Sequence, residues 1–123
     1  MKCHEDLEVW QKAVEMSVSV YGLTKTFPPD EKFGLVNQMR RAAVSVASNI
    51  AEGAARQSPK EFVQFLYIAA GSASELTTQL VISRRLAYGC GAPAEKLAME
   101  IDEVARMLQG LIRSLRKRIR DSN

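Results

Sequence analysis

Residues 34–53 read GLVNQMRRAAVSVASNIAEG, and this stretch decides the fold because its apolar positions recur with the period of an α-helix. The apolar side chains share one broad arc: Leu35, Val36, Met39, Ala42, Ala43, Val46, Ala47 and Ile50. The other side carries a polar stripe of Gln38, Arg41, Ser45, Ser48, Asn49 and Glu52. Because Ser and Asn are poorer helix formers than Glu and Lys, we interpret this stripe as an interface or a structural polar network.

Helix-breaking residues divide the rest of the chain into further helical segments. Pro28 and Pro29, residues 53–59 and residues 89–93 separate helices that we predict at about 7–26, 32–55, 59–88 and 93–119. Ser58 is a suitable N-cap for the third helix, with Pro59 at its first position and Glu61 able to bond back. No strand pattern competes, so the sequence predicts an all-α, antiparallel, up-and-down four-helix bundle over residues 1–123.

The apolar patterns of the other helices indicate which faces are buried. The first helix has two stripes, one of Leu7, Trp10, Val14, Val18 and Tyr21 and one of Val9, Ala13, Met16, Val20 and Leu23. The fourth helix has an a/d seam of Leu97, Ile101, Val104, Leu108, Leu111 and Leu115. In the third helix Gly71 lies within the small-residue run AAGSAS, so we expect a close helix–helix approach there. Two stripes on one helix are more than a single neighbour covers, which predicts a homo-oligomer.

Composition gives the broad class of the chain. The 123 residues are 46% hydrophobic and 25% charged, which is typical of one globular domain. We see neither a signal peptide nor a membrane span, and therefore expect a cytoplasmic protein. Cys3 and Cys90 form neither a disulfide framework nor a zinc pattern, so we expect no metal and no cofactor.

Several motifs carry a resemblance to a known family: DLEVW at residues 6–10, SNIAEG at 48–53 and GS-x-x-EL at 71–76. Together with Phe27, Pro28, Gln79 and Leu80, they resemble the four-helix bundle family of bacterial intervening-sequence proteins. Members are often encoded within intervening sequences of large-subunit ribosomal RNA genes. The likeness is close over residues 6–88, and it departs at Phe33, where the family usually has Tyr, and at the turn of residues 89–91.

The resemblance implies a homo-oligomeric ring, expected to be a pentamer, in a family with no established enzymatic activity. A related branch accompanies the reverse transcriptases of diversity-generating retroelements and is similar to a basic pentameric barrel that engages RNA and the polymerase. The partners that the resemblance implies are therefore RNA, a ribonucleoprotein or a reverse transcriptase.

The residue inventory also argues against an enzyme. Catalysis in four-helix bundles commonly uses a di-iron site built from Glu-x-x-His pairs, and the chain has a single histidine, His4. Glu52 and Glu75 could act as an acid–base pair across helices. We favour the interpretation that they are buried structural carboxylates bonded to Ser, Asn or Arg, as part of the polar network.

The fourth helix ends in a dense group of cations. They are Arg113, Arg116, Lys117, Arg118 and Arg120. One or two bases would be enough to complement the helix dipole, so five cations make nucleic-acid phosphates a candidate ligand. A solvated tail is the alternative, and no aromatic residue in this basic segment offers a base-stacking platform. The function predicted is non-enzymatic binding of structured RNA or a ribonucleoprotein, with a protein-interaction scaffold ring as the alternative.

Overall fold

The structure is a computed structural model and describes residues 3–122. Four helices make up the fold: α1 (Glu8–Thr24), α2 (Leu35–Ala54), α3 (Pro59–Arg85) and α4 (Ala92–Asp121). Short 3-10 turns at His4–Asp6 and Pro29–Glu31 precede α1 and α2. Residues 3–122 contain no strand, so the predicted all-α four-helix bundle is confirmed.

Consecutive helices run antiparallel, and α4 returns beside α1. The end of α1 meets the start of α2, where Arg40 Nε donates to Thr24 Oγ1 at 3.0 Å. The end of α4 lies beside the first half of α3, where Arg116 Nη1 donates to Tyr67 Oη at 2.8 Å. Lys12 of α1 pairs with Glu103 of α4 at 3.6 Å, which closes the bundle.

Local capping chemistry sets the helix starts. Ser58 Oγ accepts from the Glu61 amide at 3.2 Å, with Pro59 at the first position, as the sequence predicted. α2 begins at Leu35, later than expected, because the preceding turn brings the Glu31 carboxylate 3.1 Å from the Leu35 amide, which it caps.

The core follows the predicted apolar arcs closely. On α1 the second stripe is fully buried, whereas the first stripe becomes exposed along the helix, reaching 67% at Val18 and 42% at Tyr21. On α4 the seam was predicted through Leu111, but Ile112 is the buried residue and Leu111 only packs at its margin. A straight helix drifts from a strict heptad repeat, which moves the seam by one position.

Close approach of α2 and α3 occurs at Gly53. A Cβ at Gly53 would lie 2.8 Å from Phe62 Cδ1 and from Phe65 Cβ. The expectation of such an approach at Gly71 is wrong within this chain, because Gly71 is exposed and a Cβ there would meet nothing within 4 Å. The run of small residues places only Ala69 and Ala73 in the core, and Gly71 lies on the outer face of α3.

The connection from α3 to α4 packs onto the end of α1. Gly89 has a positive φ of 44°, and a Cβ there would lie 2.8 Å from Phe27 Cε1. The Phe27 and Tyr88 rings pack with centroids 5.5 Å apart. Burial, together with the nearby Glu31 carboxylate, raises the pKa of the Tyr88 phenol, which therefore stays neutral at physiological pH. α3 ends at Arg85, before the predicted boundary, because the backbone turns at Ala87, whose φ is positive at 63°.

None of the helices within residues 3–122 combines the length and the apolarity that crossing a bilayer requires.

Candidate nucleic-acid interface

The cations at the end of α4 are exposed and divide between two sides of the helix. Arg113, Arg116, Lys117 and Arg120 recur at three- and four-residue steps, so they share one side. Arg118 lies on another side, because the step of five residues from Arg113 rotates the helix by about 140° at roughly 100° per residue. Three of the five predicted cations, Arg113, Arg116 and Arg120, line the same pair of clefts, whereas Lys117 and Arg118 line neither.

The first half of α3 completes this surface. Tyr67 accepts the hydrogen bond from Arg116, and Lys60, near the start of α3, lines the same cleft. Two adjoining clefts of about 450 Å³ and 230 Å³ share Tyr67, Arg116 and Arg120. We call the combined surface the basic cleft. Its lining consists of Lys60, Val63, Gln64, Tyr67, Gln109, Ile112, Arg113, Arg116, Ile119 and Arg120.

The charge of the basic cleft is not neutralised from within the described chain. Neither cleft has an Asp or Glu in its lining. The ion pairs within residues 3–122 use other cations, namely Lys12, Arg56, Arg84 and Arg106. All four arginine and lysine side chains of the basic cleft therefore remain available to an anion.

The helix dipole does not account for the whole cluster. Arg118 and Arg120 lie in the last turn of α4, where they complement the dipole. The Arg118 carbonyl also accepts from the Ser122 hydroxyl at 2.8 Å, which caps the end. Arg113 and Arg116 precede the last turn, where the effect of the dipole has fallen off.

Sequence reasoning missed Lys60 and Tyr67. The fourth helix alone contains no aromatic residue among its cations, but the antiparallel packing of α3 places the Tyr67 ring there. The available signal was the pairing of the first half of α3 with the second half of α4, which an antiparallel bundle requires.

The polar stripe of α2 forms a second surface, which we call the polar groove. It is a cleft of about 420 Å³ between α2 and α3, and its lining consists of Phe33, Asn37, Gln38, Arg41, Ala42, Ser45, Ser72 and Glu75. The Ser45 and Ser72 hydroxyls are 2.9 Å apart, and Asn49 Nδ2 donates to the Ser45 carbonyl at 2.8 Å.

The predicted polar network is only partly assembled in the described chain. Ser45 and Asn49 take part in it, whereas Ser48 is exposed on the outer side of α2. Gln38 and Arg41 line the groove but form no side-chain hydrogen bond within residues 3–122. Gln79, which helps to carry the family resemblance but was not predicted to belong to this network, is 5% exposed, and its Oε1 has no partner among the described atoms.

The proposed burial of two carboxylates is wrong. Glu52 and Glu75 are both exposed in the single chain. The prediction failed because helical periodicity gives the side of the helix on which a residue lies but not how deeply it is buried. Glu52 pairs with Arg56 at 3.6 Å, and Glu75 accepts from Gln79 Nε2 at 3.5 Å. Only Glu75 lines the polar groove, so the two carboxylates do not share a site.

The remaining reactive side chains lie apart from both surfaces. His4 packs edge-on against Trp10 with ring centroids 5.0 Å apart. Cys3 and Cys90 are exposed and unbridged. No group of three or more potential metal ligands occurs in the part of the chain that the structure describes.

Comparisons with known proteins place the fold in a family. The profile of the family described as "23S rRNA-intervening sequence protein" matches residues 5–110. A crystal structure of a protein of unknown function from the S23 ribosomal protein family of Bacteroides thetaiotaomicron is 27% identical, with a TM-score of 0.78. That similarity covers 85% of this chain and 97% of the other. No curated protein matches significantly.

The family match includes α1, α2, α3 and the polar groove, and it ends before Arg113. The resemblance carried by residues 6–10, 48–53 and 71–76 falls within the matched region. The chain therefore belongs to the 23S rRNA-intervening sequence protein family.

Proposed function

We propose that this chain is a non-enzymatic, cytoplasmic homo-oligomer that binds structured RNA or a ribonucleoprotein through the basic cleft. The observation that carries the proposal is a set of cations from two helices around one cleft whose lining contains no acid. Phosphate contacts with such cations release counterions, which supplies affinity without base recognition.

Uncovered apolar side chains support the oligomeric part of the proposal. Val18 on α1 and Ile68 on α3 are 67% and 53% exposed, and Phe33 at the polar groove is 86% exposed. Burying such side chains against further copies of the chain would remove apolar surface from water. A pentameric ring is the assembly that we expect, and light scattering tests it. A mass of one chain at micromolar concentration would contradict it.

Removing charge from the cleft tests RNA binding. The variant Arg113→Gln, Arg116→Gln, Arg120→Gln keeps helix propensity and leaves the buried residues Ile112 and Leu115 unchanged. If each side chain contacts a phosphate of a single strand, the slope of log affinity against log salt falls by about 2. Affinity at 0.1 M salt then falls by about 100-fold.

A matched control removes three positive charges from the opposite end of the bundle. The control variant is Lys25→Gln, Lys32→Gln, Arg85→Gln, and all three of its positions are exposed. We expect it to bind RNA as the unmodified chain does. Equal weakening in both variants would indicate an effect of net charge alone and would reject the basic cleft as the binding surface.

The exposed apolar side chains also favour a second candidate, a scaffold ring that binds another protein and has no role with nucleic acid. Salt dependence separates the two functions, because phosphate binding weakens steeply as counterions increase. A wild-type protein that binds RNA no better than the triple variant at low salt would favour the scaffold.

A further inference from the structure

Tyr67 is an aromatic side chain surrounded by cations that lack acidic partners. The residue is 44% exposed, and its hydroxyl accepts the hydrogen bond from Arg116 at 2.8 Å. Phe33 is a second exposed aromatic residue that lines a cleft together with an arginine. Its cleft is the polar groove, which also contains the carboxylate of Glu75. An anionic ligand would be repelled there, whereas the lining of the basic cleft contains no acid.

The floor and the rim of the basic cleft differ in chemistry. Val63 and Ile112 are buried beneath it, and Ile119 is partly buried. Cations stand around this apolar floor, together with the Tyr67 ring. A nucleotide has the same division, because its base presents a flat apolar face and its phosphates are anionic. The larger cleft, at about 450 Å³, is within the usual size range of small-ligand pockets.

The arginines retain the capacity to bind phosphate. Arg116 has five N–H donors and uses one of them on Tyr67, so the others remain available. Arg113 and Arg120 lie on either side of it, about 10 Å apart along α4 at the usual rise per residue. A strand lying along α4 would meet a cation on each successive turn.

We propose that the basic cleft binds an unpaired nucleotide of a single-stranded RNA segment, with the base stacked on Tyr67. Lys60, Arg113, Arg116 and Arg120 contact the phosphates on either side of that base. The base must be unpaired because, inside a duplex, both of its faces are covered by neighbouring bases. This inference rests on the proposed RNA binding and specifies the form of RNA that the cleft selects.

Two substitutions at one position separate stacking from hydrogen bonding. Tyr67→Leu removes the ring and the hydroxyl, whereas Tyr67→Phe removes only the hydroxyl. The matched control is Tyr21→Leu, because Tyr21 is 42% exposed and lies beside Arg40 on a different face. Binding is measured with a 12-nucleotide oligouridylate and with a blunt RNA duplex, each at several salt concentrations.

Loss of one stacked base is expected to weaken oligouridylate binding by about 10-fold in Tyr67→Leu. The salt slope should not change, because no phosphate contact is removed. Duplex binding should change by less than about twofold. Tyr67→Phe and Tyr21→Leu should bind oligouridylate as the unmodified chain does. Photocrosslinking of oligo(5-iodouridylate), with the modified peptide identified by mass spectrometry, should label Tyr67.

Failure of this inference differs from failure of the proposed function. If Tyr67→Leu binds oligouridylate normally while the triple glutamine variant does not, stacking is rejected and phosphate binding stands. If Tyr67→Leu weakens duplex binding equally, selection of unpaired nucleotides is rejected. If polyglutamate binds as tightly as oligouridylate and depends equally on Tyr67, the cleft is an acidic-peptide site and the inference is overturned. Circular dichroism at each step verifies that the variants are folded.

Discussion

The polar groove lies between α2 and α3, the basic cleft lies between α3 and α4, and the two surfaces differ in charge and in their relation to the family match. In the polar groove Arg41 is accompanied by Glu75 and by uncharged hydroxyls and amides. In the basic cleft the charged side chains are all cations, and three of them follow the last residue that the family profile matches. Membership in the family therefore supports the fold, and the match includes the residues of the polar groove, whereas the proposed RNA binding depends mainly on residues beyond the matched region.

The helix contacts beside the two surfaces also differ in closeness. Gly53 holds α2 against Phe62 and Phe65 of α3, whereas a Cβ at Gly110 of α4, close to the basic cleft, would meet nothing within 4 Å. We conclude that the α2–α3 contact is intolerant of added volume and that the outer side of α4 is not.

The largest effect that we predict on stability tests this contrast. Gly53→Ala should lower the free energy of unfolding by about 1–3 kcal/mol, because the new methyl group overlaps Phe65 Cβ, which cannot move without the backbone. Gly110→Ala should raise it by up to about 1 kcal/mol, because alanine is the better helix former and has room. Urea unfolding at one fixed protein concentration measures both.

Equal destabilisation by the two substitutions would mean that α4 is packed as tightly as α2. The distinction between a close contact and an open one would then be lost.

The next effect concerns the hydrogen bonds of the polar groove. Ser45→Ala should destabilise the fold by about 1 kcal/mol, because it leaves Ser72 and Asn49 without a partner hydroxyl. Adding Ser72→Ala to this variant should lower the free energy of unfolding by less than Ser72→Ala does in the unmodified chain, since both partners are then removed. A double-mutant cycle from urea unfolding gives the coupling. Strict additivity would show that the two hydroxyls do not interact, and that the groove contributes nothing to stability through this pair.

Much of the fold follows from the sequence because helical periodicity assigns each residue to a side of its helix. The buried arc of α2 and the second stripe of α1 were predicted in this way. Periodicity does not give depth, and this is why Glu52 and Glu75 were wrongly expected to be buried. It also does not give the rotation of one helix against another. The contact between Tyr67 and Arg116 joins distant positions of the chain, and only the packed bundle reveals it.

The smallest effect that we predict is on the RNA affinity of a polar-groove variant. Arg41→Gln removes an exposed cation that, like those of the basic cleft, has no ion-pair partner within residues 3–122. The Glu75 carboxylate lines the same groove and repels phosphate, so we expect the RNA affinity to change by less than about twofold and the salt slope to stay constant. Arg116→Gln is the matched single substitution in the basic cleft, and it should reduce the slope by about 0.7. If Arg41→Gln instead reduces the slope as much as Arg116→Gln does, phosphate contacts both surfaces. The RNA would then be bound by a surface that includes the polar groove, and the functional difference between the two regions would disappear.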